Sequence, residues 1–453
     1  EREGLAFGAD TNASTGFEAI TYMLNLPRNT PALLDTALML MRETASELTL
    51  SEDAVARERG VILAELRDRS GYAQRALEAN IGFIAPGARY GERLPIGVTQ
   101  VIEQATAADL RALYERTYVP ANTTLIIVGD YPVELMEAAI RTRFADWQGP
   151  SAPAAMSAGP VDTARRGETA IHLDPALSES VTITQLTPWR ERPDSLAQRD
   201  IETLRRIGYA IVNRRLSRLA RGEDAPFRGA AFGTSDLFRD ARLTSLSISS
   251  EDGQWEKGML AALRTVNEAM TYGFSPAEVE EQIANWRSAL DNAAKAAETR
   301  SHSAFVAAAL AALSDARVPT TPAWQLEQFT RLTPAITAQA VWRAMLDDAS
   351  IFYDPLIRFQ GRSAPQGGEA ALRSAFTAAM ELPIAAPADQ FTLPFAYQFF
   401  GAPGTVVSDT VEPTLGLRLI RFANGVRLTL KQTTLREDRV AVALAIDGGD
   451  LLN

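Results

Sequence analysis

Apolar positions recur with helical spacing along much of the chain. From Pro31, residues Leu33, Leu34, Ala37, Leu38, Met41 and Ala45 follow i, i+3, i+4 and predict an amphipathic helix. Ser51-Glu52-Asp53 supplies a cap and first-turn acids for a second helix reaching about Arg69, and Thr106 caps a third through Tyr114. Thr123 to Val128 reads as a buried strand turned at Gly129-Asp130, and Val133 to Phe144 returns to helix. Upstream, residues 5–27 read as β-like, with Thr21 to Leu26 closing at Pro27.

A second series of the same elements follows. Strand-like Ser180 to Leu186 leads to a helix around Arg199–Ala220, strands within Gly229–Ser250 and a helix from Trp255 to Tyr272. Ser275-Pro276-Ala277-Glu278 places a cap before a first-turn proline and opens a helix expected to reach about Arg300. Thr106–Asp130 and Thr337–Gly361 share an order of helix, turn, strand and glycine, a weak internal duplication. Late in the chain, Leu417–Phe422 and Val426–Lys431 flank Asn424-Gly425, the signature of a hairpin, and Val440–Ile446 reads as one more strand.

Two stretches rich in Pro, Gly and Ala punctuate the series, Gly149–Gly167 and Pro383–Pro413. They divide the chain into a domain at 1–150, a linker at 151–168, a domain at 169–382, a linker at 383–415 and the opening strands of a third domain at 416–453. The expected class is α+β, with repeated mixed α/β domains in which antiparallel sheets are packed by helices. Arg165-Arg166 in the first linker signals no more than a protease-sensitive spot. The chain opens on Glu1 without a Met, a basic n-region or an apolar h-region, and stops just past a strand. The expectation is a piece of a longer protein.

Composition narrows the chemistry. A chain of 453 residues, 46% hydrophobic and 22% charged, is ordinary for a soluble globular protein and can bury more than one core. Its net charge of -11 argues against a nucleic-acid binder. The longest apolar run, Ala304–Leu313, falls well short of the ~20 residues that span a bilayer. With no cysteine there is no disulfide, thiolate metal site or cysteine nucleophile. The only histidines, His172 between Ile171 and Leu173 and His302 near the end of an alanine-rich helix, read as structural. They do not complete a histidine-ligated metal centre unless its other residues lie elsewhere. Gly367-Gly368 lacks the Lys-Ser/Thr of a phosphate loop, and Trp255, Trp286, Trp324 and Trp342 fall on helical patterns as core or interface residues.

Glu58 and Glu65 are seven apart on the second helix and therefore project from one face, two turns apart. On spacing alone a solvated helix face is the plainer reading, but the surrounding residues say more. Gly8-Ala9-Asp10-Thr11-Asn12-Ala13-Ser14-Thr15, the Tyr22–Leu26 strand and Glu58-Arg59-Gly60-Val61-Ile62-Leu63-Ala64-Glu65 come in a telling order. With Tyr118-Val119-Pro120-Ala121-Asn122 and Leu125-Ile126-Ile127-Val128-Gly129-Asp130, this order resembles the pitrilysin/insulinase family of zinc peptidases. The likeness is greatest to its long bacterial members, which carry two homologous halves in one polypeptide.

The resemblance implies a chemistry. In that family two histidines of an inverted H-x-x-E-H motif bind zinc, and the intervening Glu is general base on a zinc-bound water of lowered pKa. A glutamate further along supplies the third protein ligand, a role that falls on Glu65. Glu58 then orients a ligand histidine by accepting its other N–H. Asn12, Ala13, Ser14 and Thr15 correspond to the edge strand onto which a peptide adds by main-chain hydrogen bonds. Without the resemblance, they are an ordinary strand entering a turn at Gly16.

The sequence contains no H-x-x-E-H. Family spacing places that motif, with the general-base Glu, before Glu1. No catalytic residue and no bound Zn2+ are therefore expected in these residues themselves. Residues 1–150 then read as a peptidase domain without its N-terminal part, 169–382 as a second, inactive-type domain, and 416–453 as a truncated third. The implied partners are peptide substrates and the second half of the same chain or a homologous subunit, with no nucleic acid and no membrane span. The implied compartment is the periplasm, with the cytoplasm as the alternative. Two functions remain open: a zinc endopeptidase cutting peptides or small unfolded proteins in an enclosed chamber, and a non-catalytic family member serving as partner subunit or peptide-binding module.

Overall fold

The computed structural model describes residues 10–386, 399, 401–434, 440–446 and 448. The β-like reading at 5–9, residues 387–398 and 400 of the Pro383–Pro413 stretch, and Gly449 lie outside them; within the stretch 383–415 expected as a linker, Val406–Glu412 form a paired strand. The chain opens with β1 (Thr11–Thr15), β2 (Ile20–Leu24), α1 (Pro31–Ser46), α2 (Glu52–Arg69), α3 (Tyr72–Ile84), α4 (Arg89–Glu92), α5 (Thr99–Gln104), α6 (Ala107–Thr117) and α7 (Val133–Phe144). It continues with β3 (Thr169–Leu173), β4 (Ser180–Pro188), α8 (Leu196–Leu219), β5 (Gly229–Leu237), β6 (Ala241–Ser249) and α9 (Trp255–Tyr272). Then come α10 (Pro276–Lys295), α11 (His302–Ser314), α12 (Pro322–Leu332), α13 (Ala338–Leu346), β7 (Leu356–Gly361) and α14 (Gly368–Glu381). The last elements are β8 (Val406–Glu412), β9 (Leu417–Phe422) and β10 (Arg427–Leu430). They group into two compact units, Glu1–Phe274 with Thr337–Ala385, and Ser275–Ile336 with Ala386–Asn453.

The first unit is built on a five-stranded sheet ordered β3-β7-β4-β6-β5, antiparallel except for the parallel pair β3–β7. The strands bury Ile183, Leu186, Leu246, Ile248, Ile357 and Phe359, all essentially inaccessible to solvent. Ile207, Ile211 and Leu216 of α8, Met259 and Leu263 of α9 and Met345 of α13 are as deeply buried. Each such side chain contributes about 1.5–3 kcal/mol of apolar transfer. Gly208 lets α8 close on α13, since a Cβ there would sit 3.1 Å from the Cβ of Met345.

A hydrophobic cluster joins α3 and α4 to this sheet. Ile81, Ile84, Ala85, Ala88 and Tyr90 pack with Leu186 and Leu356, and Leu237, Phe238 and Leu243 close over them. The stretch 151–168, expected as a linker, is held against both sides. Tyr90 N donates to the carbonyl of Ala158 (2.9 Å), Ser157 Oγ to Asp240 (2.5 Å) and Gly167 N to the carbonyl of Asp354 (2.8 Å). Arg165 is not an exposed cleavage spot. Its guanidinium donates to the carbonyls of Phe83 (2.5 Å) and Ile84 (3.1 Å) at the end of α3, lies over the Phe83 ring and pairs with Glu168. Arg165→Ala leaves two helix-end carbonyls without a donor and is expected to cost about 1–3 kcal/mol. Limited trypsin digestion, read at the neighbouring Arg166, checks this by a several-fold faster nick.

The second unit contains α10, whose Ser275 and Glu278 form a reciprocal capping box ahead of Pro276. This helix ends at Lys295 and a 3-10 turn runs on to Thr299, so the segment expected to be helical to Arg300 is helix plus turn. Trp286 stacks on Phe329 of α12, with centroids 6.1 Å apart. The Asn424-Gly425 hairpin forms as expected: β8, β9 and β10 pair antiparallel, and Gly425 turns with φ +91°.

Two expected strands are not strands. Residues 123–128 and 440–446 form no ladder. A strand is defined by its pairing partner, and no described strand pairs with either segment. Val440, Val442, Leu444 and Ile446 are each more than 80% exposed.

Candidate active-site face and peptide edge

The α2 helix starts on Ser51, whose hydroxyl accepts from Ala54 N, and Glu52 reaches over to accept from Ala107 N at the start of α6. Arg59 is structural. Its guanidinium donates to the carbonyls of Ile102 (3.1 Å) and Ala105 (2.6 Å), closing the C-terminal end of α5. With Val55 as its only buried residue among those described, α2 is a largely open helix.

The residues on its open face are unusual for a solvated helix. Glu58, Val61, Ile62 and Glu65 stand at i, i+3, i+4 and i+7 and so share one stripe. Val61 is 60% exposed and Ile62 36%. Glu58 is exposed and Glu65 half-buried, held 2.6 Å from Arg69 one turn on in a solvent-accessible pair worth a few tenths of a kcal/mol (about 0.3–0.5). Nothing described holds Glu65 firmly. The plain reading of a solvated face accounts for the two glutamates but not for Val61 and Ile62 between them.

The hairpin β1–β2 pairs Thr11 with Leu24 through Thr15 with Ile20, and no other described strand pairs with β1. Asn25 N donates to Asp10 O (2.7 Å) and Gly16 N to Ala19 O (2.8 Å), so the backbone groups of even-numbered residues turn inward. By the alternation of an antiparallel ladder, Asn12 and Ser14 bond β2, whereas Thr11, Ala13 and Thr15 direct their N–H and C=O to the free edge. The Asn12 side chain covers the central one, its Oδ1 accepting from Ala13 N at 2.8 Å.

The hairpin is tied to the second motif, Tyr118-Val119-Pro120-Ala121-Asn122. The hydroxyls of Tyr22 and Tyr118 are 2.7 Å apart, and burial, reinforced by that contact, pushes the Tyr118 phenol well above its usual range. Val119 is buried, and Asn122 Nδ2 donates to the carbonyl of Thr117. Behind Tyr118 lies a cleft of about 580 Å³ lined by Arg42, Glu47, Tyr114, Asp146 and Trp147. Arg42 fills its floor, 5.5 Å from the Trp147 ring centroid and within 3.6 Å of both carboxylates.

The histidines lie on other elements. His172 is on β3, its Nε2 buried without a hydrogen-bond partner; burial, and then the nearby Arg358, lowers its pKa and keeps it neutral. His302, expected near the end of an alanine-rich helix, is instead the first residue of α11. Among the described residues no three His, Asp or Glu side chains converge so as to hold a metal ion. Glu65 alone is one oxygen donor against the three protein ligands of a catalytic zinc, so these residues do not by themselves fit the metal.

The strongest polar constellation is one that sequence reading missed. Asp348, just after α13, accepts from Tyr209 (2.9 Å), Thr234 (2.7 Å) and Arg242 (2.8 Å), and pairs with Arg192 (2.9 Å) and Arg205 (3.5 Å). Its side chain is 1% exposed. It ties α8, β5, β6 and α13 together and carries no group suited to bond making. The Asp347-Asp348 pair was visible in the sequence; its partners, over a hundred residues away, were not.

The chain is similar to known peptidases. A family model described as the peptidase M16 inactive domain matches residues 104–285. Over 249 residues the chain is 28% identical to the zinc protease PQQL-like protein of Arabidopsis thaliana, covering 54% of this chain and 26% of that protein. Over 130 residues it is 35% identical to the probable zinc protease PqqL of Escherichia coli K12, covering 29% of this chain and 14% of the relative. These matches span only a minor part of either relative. In fold it matches the first half of the periplasmic protease PqqL from Escherichia coli with a TM-score of 0.76 at 20% identity, over 85% of this chain and 83% of that one. The order of motifs, the inactive-domain match and the zinc-protease relatives agree in supporting the pitrilysin/insulinase-type family for this chain.

Proposed function

We propose that this chain is part of a two-half zinc endopeptidase that hydrolyses peptides or small unfolded proteins. In this reading Glu65 supplies one zinc ligand, two histidines on a segment outside this sequence supply the others, and Glu58 orients one of those histidines. Residues 1–150 form the rest of the peptidase domain, 169–382 its inactive-type companion, and 416–453 the start of the other half. The observation that carries the reading is the α2 stripe, in which Val61 and Ile62 stand exposed between two carboxylates. Such a face gains about 25 cal/mol for every Å² of apolar area that a second helix covers. Peptide adds to the free edge of β1 through Thr11 and Thr15, and through Ala13 once the Asn12 side chain gives up its bond to the Ala13 N–H, a mode that tolerates varied sequences. Since the similar Escherichia coli protein is described as periplasmic, we place this one in the periplasm as well.

The test is Glu65→Gln in the intact gene product. Peptide cleavage and zinc retention are expected to be lost while the melting temperature stays within about 2 °C, because the Arg69 pair is exposed and weak. Full cleavage by that variant would remove Glu65 from the site. An intact protein with no H-x-x-E-H before Glu1 would instead be a non-catalytic partner subunit.

A further inference from the structure

The tip of the β1–β2 hairpin does not hang free. Phe17 there is 45% exposed, yet its ring meets Phe238 edge-on (5.6 Å) and Tyr90 edge-on (6.0 Å), and Tyr90 meets Phe238 at 5.3 Å. Three aromatic rings from three distant parts of the chain thus close a triangle. Phe238 lies in the turn joining β5 to β6, in the companion domain. Its backbone is left-handed, φ +51°, a conformation costly for a bulky residue and natural for glycine. The same turn is gripped by Ser157 through Asp240, and Tyr90 is 7% exposed within the cluster that joins α3 and α4 to the sheet. The ring is therefore presented from a fixed base at a position where the backbone alone favours a glycine.

We propose that Phe238 is a positioning residue: through Phe17 the companion domain sets the angle of β1, and so the register in which a peptide is received. This rests on the reading of β1 as the peptide edge. It gives the catalytically inactive-type domain a defined part in substrate binding, without contact to substrate.

The experiment uses the intact protein, with KM and kcat measured for a peptide substrate. Phe238→Gly removes the ring and relieves the left-handed backbone, so it does not strain the fold. We expect KM to rise about tenfold, as the loss of two edge-to-face pairs implies, with kcat and zinc content unchanged. In hydrogen exchange the amides of Asn12 and Ser14 lose protection while those of β6 keep theirs, and Phe238→Tyr restores both readouts. Ala13→Pro tests the underlying reading separately. Its N–H faces the free edge, where proline is tolerated in a strand, and it blocks peptide pairing and raises KM. A KM raised by Ala13→Pro but not by Phe238→Gly overturns the role of Phe238 and leaves the edge standing. An Ala13→Pro variant with normal KM overturns the edge reading, and the inference with it. Loss of kcat or zinc in Phe238→Gly also overturns the inference, since it marks a general folding contribution.

Discussion

Asp348→Asn is expected to lower the stability of the first unit by about 3–5 kcal/mol, because it leaves Arg192, Arg205 and Arg242 facing one another around a neutral amide. Burial by itself raises the Asp348 pKa, but the hydrogen bonds from Arg242, Thr234 and Tyr209 outweigh it and bring the group down to about 2. An unfolded aspartate titrates near 3.9, so the folded state binds the proton more weakly than the unfolded state does. The carboxylate's contribution is therefore present in full above about pH 4 and fades as pH falls towards 2. Urea unfolding at pH 7 should show the full loss in the variant, and the gap between the two proteins should narrow below pH 4. Equal midpoints at pH 7 would mean that the arginines are neutralised by other groups.

Phe359→Ala is expected to cost about as much, 3–5 kcal/mol, for a different reason. Phe359 is fully buried on β7, the strand that pairs with β3 on one side and β4 on the other. Its neighbours belong to the sheet and its covering helices and cannot collapse into the space, so the variant pays transfer and cavity terms together. Leu444→Ala is the control: at 83% exposure it should change stability by no more than about 0.5 kcal/mol. Chemical denaturation measured on both variants separates them, and a loss under about 1 kcal/mol at Phe359 would contradict the packing described.

Many elements that carry their own start signals were legible in the sequence, although the start of α12 at Thr321-Pro322 was not read. Ser51, Thr106, Ser275 and Thr337 all cap the helices expected of them. The helices α3 and α14 went unannounced because each begins after a glycine, Gly71 and Gly367, with no capping side chain to mark it. Most of the paired strands were readable from apolar runs, but β8 fell within the stretch expected as a linker, and a run cannot say whether a partner lies beside it, which is why 123–128 and 440–446 were overread. The parallel placement of β3 beside β7 is likewise beyond local pattern, since it depends on a connection of more than 180 residues. Of the candidate site, the shared face of Glu58 and Glu65 followed from helical spacing. That Val61 and Ile62 on the same face stay uncovered, and that β1 offers Thr11, Ala13 and Thr15 rather than Asn12 and Ser14, needed coordinates. Longest in range, and so least legible, was the triangle of Phe17, Tyr90 and Phe238.

The central claim is that Glu65 belongs to a zinc site completed outside these residues. Elemental analysis of the intact gene product, purified without added metal or chelator, tests it most directly. About one zinc per polypeptide, falling to background in Glu65→Gln, is the expected result. A protein that is folded and free of zinc, or one whose zinc is untouched by Glu65→Gln, would contradict it.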